Sequence, residues 1–290
     1  MGAAACPARW WHPAGDGDVV CVLCPHHCCI RPGQRGRCLA RENQDGHLVA
    51  SAYGVITAMS VDPIEKKPLN WFMPGRPILS VGSFGCNFHC DFCQNWSIAQ
   101  RLAPGQRIGP RQLADEAARL SDIGNIGLAF TYNEPLINLE FVIDCAELIR
   151  AQGQRCVMVT NGFVEPQPLQ QLLPFVDAMN IDLKAFSDDF YRNVCGGRLD
   201  PVKQTIMTVA SACHVEVATL LIPGLNDSDE EIDRLAAWLA AINPEIPLHL
   251  TRYFPAYQRK TPGPISRERL FHLISIARRH LRRVAPGNLV

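Results

Sequence analysis

Three cysteines, Cys86, Cys90 and Cys93, have the spacing C-x3-C-x2-C and carry the most specific chemistry in the sequence. Thiolates at this spacing can converge on one face of a cubane, and thiolates are the ligands that iron–sulfur clusters use. Three protein ligands leave one iron open, and an open position lets a metal bind and activate a substrate. Zinc is the alternative, and it needs a fourth ligand, for which His89 is the nearest candidate.

A second group of cysteines, Cys21, Cys24, Cys28 and Cys38, precedes the first and has the spacing C-x2-C-x3-C-x9-C. Four thiolates in a short, loop-rich segment suit tetrahedral zinc or a second iron–sulfur cluster. A bound metal would also supply folding energy to a segment with little core of its own. The remaining alternative is four reduced cysteines that bind nothing, and the sequence does not choose between zinc and a cluster.

Thirteen cysteines in 290 residues do not indicate a disulfide scaffold, because the chain is long enough for a full core and the count is odd. Lys and Arg total 28, as do Asp and Glu, and this balance argues against a general nucleic-acid or membrane surface. The sequence shows neither a run of roughly 18 apolar residues nor the pattern of a secretory signal. We therefore predict a reduced, cytoplasmic protein with no nucleic-acid or membrane partner.

Apolar strand-like runs alternate with helical patterns from about residue 76 onward. The predicted strands cover residues 77–84, 126–132, 155–160, 176–183, 214–222 and 247–254. The predicted helices cover residues 111–121, 139–152, 167–173, 201–211, 228–241 and 266–283. Six such units imply parallel strands with right-handed crossovers, and they are too few for the eight of a complete barrel. We predict an α/β fold, a partial (β/α)6 TIM-like barrel at residues 76–290, after a small cysteine-rich subdomain at residues 1–75.

Distinctive polar residues follow the predicted strands at their C-terminal ends, where parallel α/β folds gather active sites. Glu134 ends the second strand and could accept a charge-assisted hydrogen bond from an ammonium group; the alternative is a turn that starts a helix at Pro135. Asp182 and Lys184 stand two residues apart, so both point to one face, and we expect the barrel mouth rather than a surface ion pair. Asn161 ends the third strand as part of a weak turn signal.

Residues 85–96 (GCNFHCDFCQNW) resemble the defining motif of the radical SAM superfamily, and the resemblance extends over residues 20–288. Within the superfamily, the chain is similar to the AmmeMemoRadiSam system radical SAM enzymes, which are similar to pyruvate formate-lyase activating enzymes. Residues 61–69 (VDPIEKKPL) and 131–135 (TYNEP) support this narrower match. Tyr132 and Asn133 depart from the family pattern, which has paired glycines before the Glu-Pro.

The resemblance implies a [4Fe–4S] cluster on Cys86, Cys90 and Cys93, with S-adenosylmethionine (SAM) on the fourth iron. Reductive cleavage of SAM would give a 5′-deoxyadenosyl radical that abstracts hydrogen from an unidentified substrate, which would make the chain an oxidoreductase. The cofactor-binding residues that the resemblance implies are Phe92, Glu134, Asn161, Asp182, Lys184 and Pro223. Val159 stands where activases carry an aspartate that helps to hold a cation, so the sequence leaves a monovalent cation site open.

The resemblance also indicates partners. A protein substrate fits the activase relatives, and the group's name links such enzymes to AMMECR-like and Memo-like proteins. A one-electron reductant such as flavodoxin or ferredoxin is implied as well. The rival interpretation, from another class, is a zinc or iron–sulfur protein that binds metal or transfers electrons without SAM chemistry.

Overall fold

The computed structural model describes residues 6–289, and this part of the chain forms fifteen strands and eight α-helices. The strands are β1 (Trp11–Gly15), β2 (Asp18–Cys21), β3 (Cys29–Ile30), β4 (Arg41–Gln44), β5 (His47–Ala50), β6 (Val55–Ile56), β7 (Ala58–Pro63), β8 (Pro77–Gly82), β9 (Gln106–Arg107), β10 (Gly127–Phe130), β11 (Arg155–Thr160), β12 (Ala178–Asp182), β13 (His214–Leu221), β14 (Leu248–Arg252) and β15 (Val284–Gly287). The helices are α1 (Trp96–Ala99), α2 (Pro110–Arg119), α3 (Leu139–Ala151), α4 (Pro166–Leu172), α5 (Asp188–Phe190), α6 (Leu199–Ala210), α7 (Asp229–Ile242) and α8 (Arg267–Ala277). None of these helices is both long and apolar enough to cross a membrane.

One sheet of eight strands, in the order β15-β14-β13-β12-β11-β10-β8-β7, organises the chain after the first 57 residues. Neighbours from β8 to β15 are parallel, and β7 pairs antiparallel with β8. Helices α2, α3, α6 and α8 pack against the parallel strands. This arrangement confirms the predicted α/β fold with a parallel sheet.

The sheet contains two strands that the sequence pattern did not predict. β7 is mostly exposed, is interrupted by Ser60 and Asp62 and ends at Pro63, and β15 contains Pro286 and Gly287, so neither has the apolar signature of a buried strand. β7 comes from the segment predicted to belong to the N-terminal subdomain. The last helix was predicted to reach residue 283 but ends at Ala277, because the chain must turn back to place β15 beside β14.

Side chains alternate between the two faces of the parallel strands, as the period of two requires. The outer face, with Leu128, Met158 and Val217 among its members, packs in the large core under the helices. The inner face is apolar near the N-terminal ends of the strands, where Ile78, Val157 and other small or branched residues pack against the segment before β8. The same inner face becomes polar near the C-terminal ends.

A buried carboxylate closes the inner face near the N-terminal ends of the strands. Glu216 is fully buried on β13 and accepts hydrogen bonds from the imidazoles of His214 (2.9 Å) and His249 (2.6 Å). It also accepts the backbone N–H groups of Asn70 (3.1 Å) and Trp71 (2.8 Å). We call these five residues, with the apolar residues around Ile78, the floor.

Replacing Glu216 with glutamine is expected to lower the free energy of unfolding by about 1–3 kcal/mol, because a neutral amide cannot satisfy four donors. Burial alone would raise the pKa of Glu216, but the hydrogen bonds from His214, His249 and Trp71 outweigh it and lower the pKa to about 2. The carboxylate therefore stabilises the fold fully above its ordinary pKa of about 4.5, and this contribution is lost as the pH falls towards 2. Urea unfolding at several pH values measures both effects.

Glu147 on α3 is exposed and provides the control. Glu147→Gln should leave the acid limb unchanged, which is the fall in the free energy of unfolding at low pH. A Glu216→Gln variant with the same acid limb as the wild type would contradict the role of this carboxylate.

The N-terminal residues pack against the first half of α3, which is largely buried. Arg41 on β4 forms two hydrogen bonds with the Glu140 carboxylate, at 2.8 and 2.7 Å, and both side chains are at most 2% exposed. Tyr53 donates to Asp144 one turn further along α3, at 2.5 Å. These contacts fix the cysteine-rich segment to the parallel sheet through one helix.

Candidate functional site

A cavity of about 310 Å³ lies at the C-terminal ends of the parallel strands. Its lining comes from the cysteine loop after β8 and from the ends of β10 to β14, so the sheet curves around it. The predicted site residues that line it are Cys86, Cys90, Phe92, Cys93, Glu134, Asn161, Asp182 and Lys184. Pro223 is half-buried and lies outside this lining, and the apolar wall on β13 is made by Ala218 and Leu220 instead.

The cysteine loop leaves β8 through a tight turn at Gly85. Gly85 has φ +88°, and a Cβ there would lie 2.1 Å from the Cys38 carbonyl oxygen. The next residue, Cys86, receives a hydrogen bond at its Sγ from the Phe88 amide at 3.3 Å. Burial raises the pKa of Cys86 well above its ordinary value, and the Glu134 carboxylate adds to this. The free thiol is therefore neutral, and a bound metal is needed to hold the thiolate.

Replacing Gly85 with alanine is expected to disrupt the cysteine loop, because the added Cβ would overlap the Cys38 carbonyl and the residue must also keep a positive φ. We expect a large loss of iron incorporation at the central cysteines, measured as iron and acid-labile sulfide after anaerobic reconstitution. Gly75→Ala is the matched control, since Gly75 has φ +77° but nothing within 4 Å of an added Cβ. Equal iron contents in the two variants would contradict the steric argument.

A buried thiol and an ammonium flank Cys90. The Cys195 thiol donates a hydrogen bond to the Cys90 sulfur, and together with the Lys184 charge it lowers the pKa of Cys90. Cys195 itself is fully buried at the end of a single π-helical turn, Tyr191–Cys195, and its carbonyl accepts the His89 amide at 2.8 Å. This location agrees with the interpretation of Cys195 as a buried free cysteine, and hydrogen bonds to cluster sulfurs are one means of setting a reduction potential.

Glu134 is 2% exposed and its carboxylate is held by three donors. The Thr160 hydroxyl (2.6 Å) and the Leu136 amide (2.9 Å) donate to Oε1, and the Asn161 amide (2.7 Å) donates to Oε2. Burial raises the pKa of Glu134 to about 7, against the effect of these hydrogen bonds. Glu134 also starts a short 3-10 helix at Pro135, so the helix-start alternative describes a real part of its role.

Asn161 connects the strand-end residues to the cysteine loop. Its Nδ2 donates to Asn87 Oδ1 at 2.8 Å and lies 3.7 Å from Cys86 Sγ. Its Oδ1 accepts the Phe163 amide at 2.9 Å, which fixes the side chain in a turn. A residue that the sequence indicated only as a turn signal therefore contacts a candidate metal ligand.

Asp182 and Lys184 both line the cavity and form an ion pair of 2.6 Å. Burial would lower the pKa of Lys184, but Asp182 and Cys90 outweigh it and raise the pKa. The ammonium is thus charged beside the cysteines, where positive charge offsets that of thiolates or of an anionic ligand.

Tyr132 also lines the cavity, and the contacts that hold its side chain were not predicted from the sequence. Tyr132 has φ +69°, a conformation that suits the glycine of the family pattern. Its hydroxyl donates to Asp62 at 2.8 Å, and Asp62 also accepts the buried Lys67 ammonium at 2.8 Å. The Lys67 ammonium lies 4.9 Å from the centre of the Tyr132 ring. The segment 61–69, noted only as a resemblance, was the signal for this contact.

A second contact that the sequence did not indicate fixes the middle of the cysteine loop. Asp91 accepts two hydrogen bonds from the Arg259 guanidinium, at 2.9 and 2.5 Å. The Asp91 carbonyl also accepts the backbone amides of Gln258 (3.0 Å) and Arg259 (2.9 Å). The loop after β14 therefore packs against the residue between Cys90 and Phe92.

The donor set fits a thiolate-ligated cluster better than zinc. Cys86, Cys90 and Cys93 share one cavity with an ammonium and with polar strand-end side chains, which leaves room for a ligand on an open iron. His89, the fourth ligand that a zinc site would need, is exposed and lies outside the cavity lining. Within residues 6–289, no group of three or more His, Cys, Asp or Glu side chains is arranged to hold a single metal ion.

Comparisons with known proteins agree with this fold. The family model described as the Radical SAM superfamily matches residues 80–239. Uncharacterized protein MJ0808 of Methanocaldococcus jannaschii is 37% identical over 268 residues, which are 91% of this chain and 79% of that protein. The pyruvate formate-lyase-activating enzyme of Clostridium pasteurianum is 26% identical over 159 residues, 52% of this chain and 65% of that enzyme. The crystal structure of a radical SAM methyltransferase from Sphaerobacter thermophilus has a TM-score of 0.58 at 19% identity, covering 74% of this chain and 67% of that chain.

The fold and the cavity are those of an α/β enzyme with three cysteines at the C-terminal ends of a parallel sheet. The chain belongs to the radical SAM superfamily. Its cofactors are accordingly a [4Fe–4S] cluster and SAM; when bound, the reduced cluster would donate the electron that cleaves SAM, and SAM would supply the radical.

Proposed function

We propose that this chain is an activating enzyme that removes a hydrogen atom from the backbone of a partner protein. Cys86, Cys90 and Cys93 would hold the cluster, and SAM would occupy the cavity beside it. The observation that carries the proposal is the convergence of these three thiols and the strand-end polar residues on one cavity. The relative from Clostridium pasteurianum is named for activating another enzyme, which supports a protein substrate.

In this proposal, different cavity residues bind different parts of SAM. Glu134 and Asn161 would hold its amino end, and the paired Asp182 and Lys184 would contact its polar groups. The Phe92 backbone would meet the adenine. Ala218 and Leu220 take the place that we expected for Pro223 as an apolar wall, because both line the cavity.

The rim of the cavity supports a macromolecular substrate. Gln94 and Asn95 line the cavity and are exposed. Beside them, the Trp96 ring stacks on Tyr257 with centroids 5.3 Å apart, and the Arg101 guanidinium lies 4.3 Å from the Trp96 centroid. Tryptophan, tyrosine and arginine are the residues most enriched at the energetic centres of protein interfaces.

The first test measures SAM chemistry. The full chain is reconstituted anaerobically with iron and sulfide, reduced with dithionite and assayed for 5′-deoxyadenosine by mass spectrometry. We expect formation well above that of the protein without cluster. A cluster-containing protein that gives only background would contradict the proposal and would favour the metal-binding or electron-transfer alternative.

The second test identifies the substrate class. The reduced enzyme is mixed with SAM and, in separate samples, with a glycyl-radical enzyme and with a Memo-like protein, each prepared with α-deuterated glycine. Deuterium in the 5′-deoxyadenosine would support hydrogen abstraction from the backbone. Active SAM cleavage without deuterium transfer from either protein would overturn the protein substrate and leave the SAM chemistry intact.

A further inference from the structure

Four cysteines surround a second, smaller pocket that lies beside the cysteine loop and is also lined by Asn87. Cys21, Cys24, Cys28 and Cys38 all line it, together with apolar side chains such as Leu23 and Ile30. Cys21 and Cys38 are buried, while Cys24 and Cys28 are partly exposed. The neighbouring Cys29 is exposed, faces Asp18 and does not line the pocket. Four of the five thiols in this segment therefore share one pocket, and the fifth lies outside it.

Backbone hydrogen bonds hold together the segments that carry these thiols. The Cys21 amide donates to the Cys28 carbonyl at 3.0 Å, and the His27 amide donates to the Cys24 carbonyl at 3.1 Å. His27 has φ +45° and Leu39 has φ +66°, so a strained residue stands next to a cysteine in both halves of the site. A strained backbone conformation persists only where the surrounding structure holds it in place, and such residues cluster at functional sites.

A positive charge lies against two of the sulfurs. The Arg41 guanidinium lines the same pocket, beside Cys21 and Cys38. Its charge would offset part of the negative charge of thiolate ligands.

We infer that Cys21, Cys24, Cys28 and Cys38 form a four-thiolate iron–sulfur centre that positions the loop bearing Cys86. This centre is separate from the SAM site, and its presence does not depend on the proposed substrate. The four thiols line one pocket but are not arranged around a single ion, which favours a cluster over a lone zinc ion.

The positioning role rests on contacts to both neighbours of Cys86. The Cys38 carbonyl packs so closely on Gly85 that no side chain fits there. On the other side, the His26 imidazole hydrogen-bonds to the Asn87 carbonyl at 2.8 Å. His26 belongs to the turn between Cys24 and Cys28, so a metal that fixes this turn also fixes residues 85 and 87.

Metal analysis of the full chain tests the centre. Iron, zinc and acid-labile sulfide are measured in the wild type, in the double variant Cys24→Ser/Cys28→Ser and in the control Cys29→Ser. A cluster predicts that the double variant loses about four iron and four sulfide per chain. Loss of about one zinc with unchanged sulfide would overturn the cluster. Cys29→Ser should lose neither, and equal metal contents in all three proteins would overturn the proposal.

A second measurement keeps the test decisive if the double variant does not fold. The wild-type chain is alkylated before and after metal removal, and each cysteine is quantified by mass spectrometry. Cys28 should be protected before removal and labelled many times faster afterwards, whereas Cys29 should be labelled at the same rate in both states. Equal rates for Cys28 before and after removal would overturn the metal centre.

A spectroscopic measurement tests the positioning role separately from the metal content. His26→Gln removes the imidazole beside Asn87 while keeping all four cysteines. The electron paramagnetic resonance spectrum of the reduced central cluster should shift in His26→Gln relative to Cys29→Ser. An unchanged spectrum would overturn the positioning role.

Discussion

Replacing Cys90 with alanine is expected to reduce 5′-deoxyadenosine formation to the background of protein without cluster. Cys90 is one of three thiols that face the cavity, and a cluster with two remaining protein ligands should be lost on reconstitution. Iron content, visible absorbance and SAM cleavage measured on the same sample check the prediction. Cys29→Ser is the matched control, because Cys29 is exposed and lies outside both cysteine-lined pockets.

The position of Cys195 sharpens this experiment. Its thiol lies against Cys90 and offers a replacement ligand if the loop adjusts. The double variant Cys90→Ala/Cys195→Ala removes this rescue, whereas Cys195→Ala alone should keep the cluster and change its reduction potential, since hydrogen bonds to sulfur tune that potential. Full SAM cleavage in the double variant would refute the ligand assignment.

The second large effect is expected for stability. Glu140→Ala should lower the free energy of unfolding by about 3–5 kcal/mol, because it leaves the Arg41 guanidinium buried without its carboxylate. Guanidinium chloride unfolding, followed by circular dichroism, measures the change. Glu116→Ala on α2 is the control, because its ion pair with Arg119 is largely exposed and its loss should have little effect.

A hydrophobic replacement of the whole pair separates charge from packing. Arg41→Met/Glu140→Leu should recover much of the stability lost in Glu140→Ala, since well-packed apolar side chains often replace a buried ion pair without cost. A Glu140→Ala variant that unfolds within about 1 kcal/mol of the wild type would show that the pair does not hold the N-terminal segment to α3.

The six predicted strands and the cysteine loop could be predicted from the sequence because each depends on residues that are close together in the chain. Runs such as residues 155–160 are apolar, β-branched and bounded by turn residues, and β11 has these bounds in the structure. The C-terminal placement of Glu134, Asp182 and Lys184 follows from the geometry of parallel strands, which requires no knowledge of individual contacts. The structure places all three in the cavity lining.

The missed features depend on pairs that are distant in sequence. Tyr132 and Asp62 are 70 residues apart, and the Glu216 carboxylate bonds to amides that lie 145 and 146 residues earlier. Periodicity and turn chemistry carry no information on such pairings. Pro223 is a different case: the strand end was predicted correctly, but the residue is not part of the cavity lining, which the sequence could not indicate.

The floor has a consequence for the order of events in a reaction cycle. Glu216, His249 and the apolar residues around Ile78 are buried and leave the cavity open towards the C-terminal ends of the strands. Cofactor and substrate then share one entrance, and whichever binds second covers the first. If the proposed partner protein binds second, spent 5′-deoxyadenosine and methionine would leave only after it has dissociated, and its dissociation rate would set an upper limit on turnover.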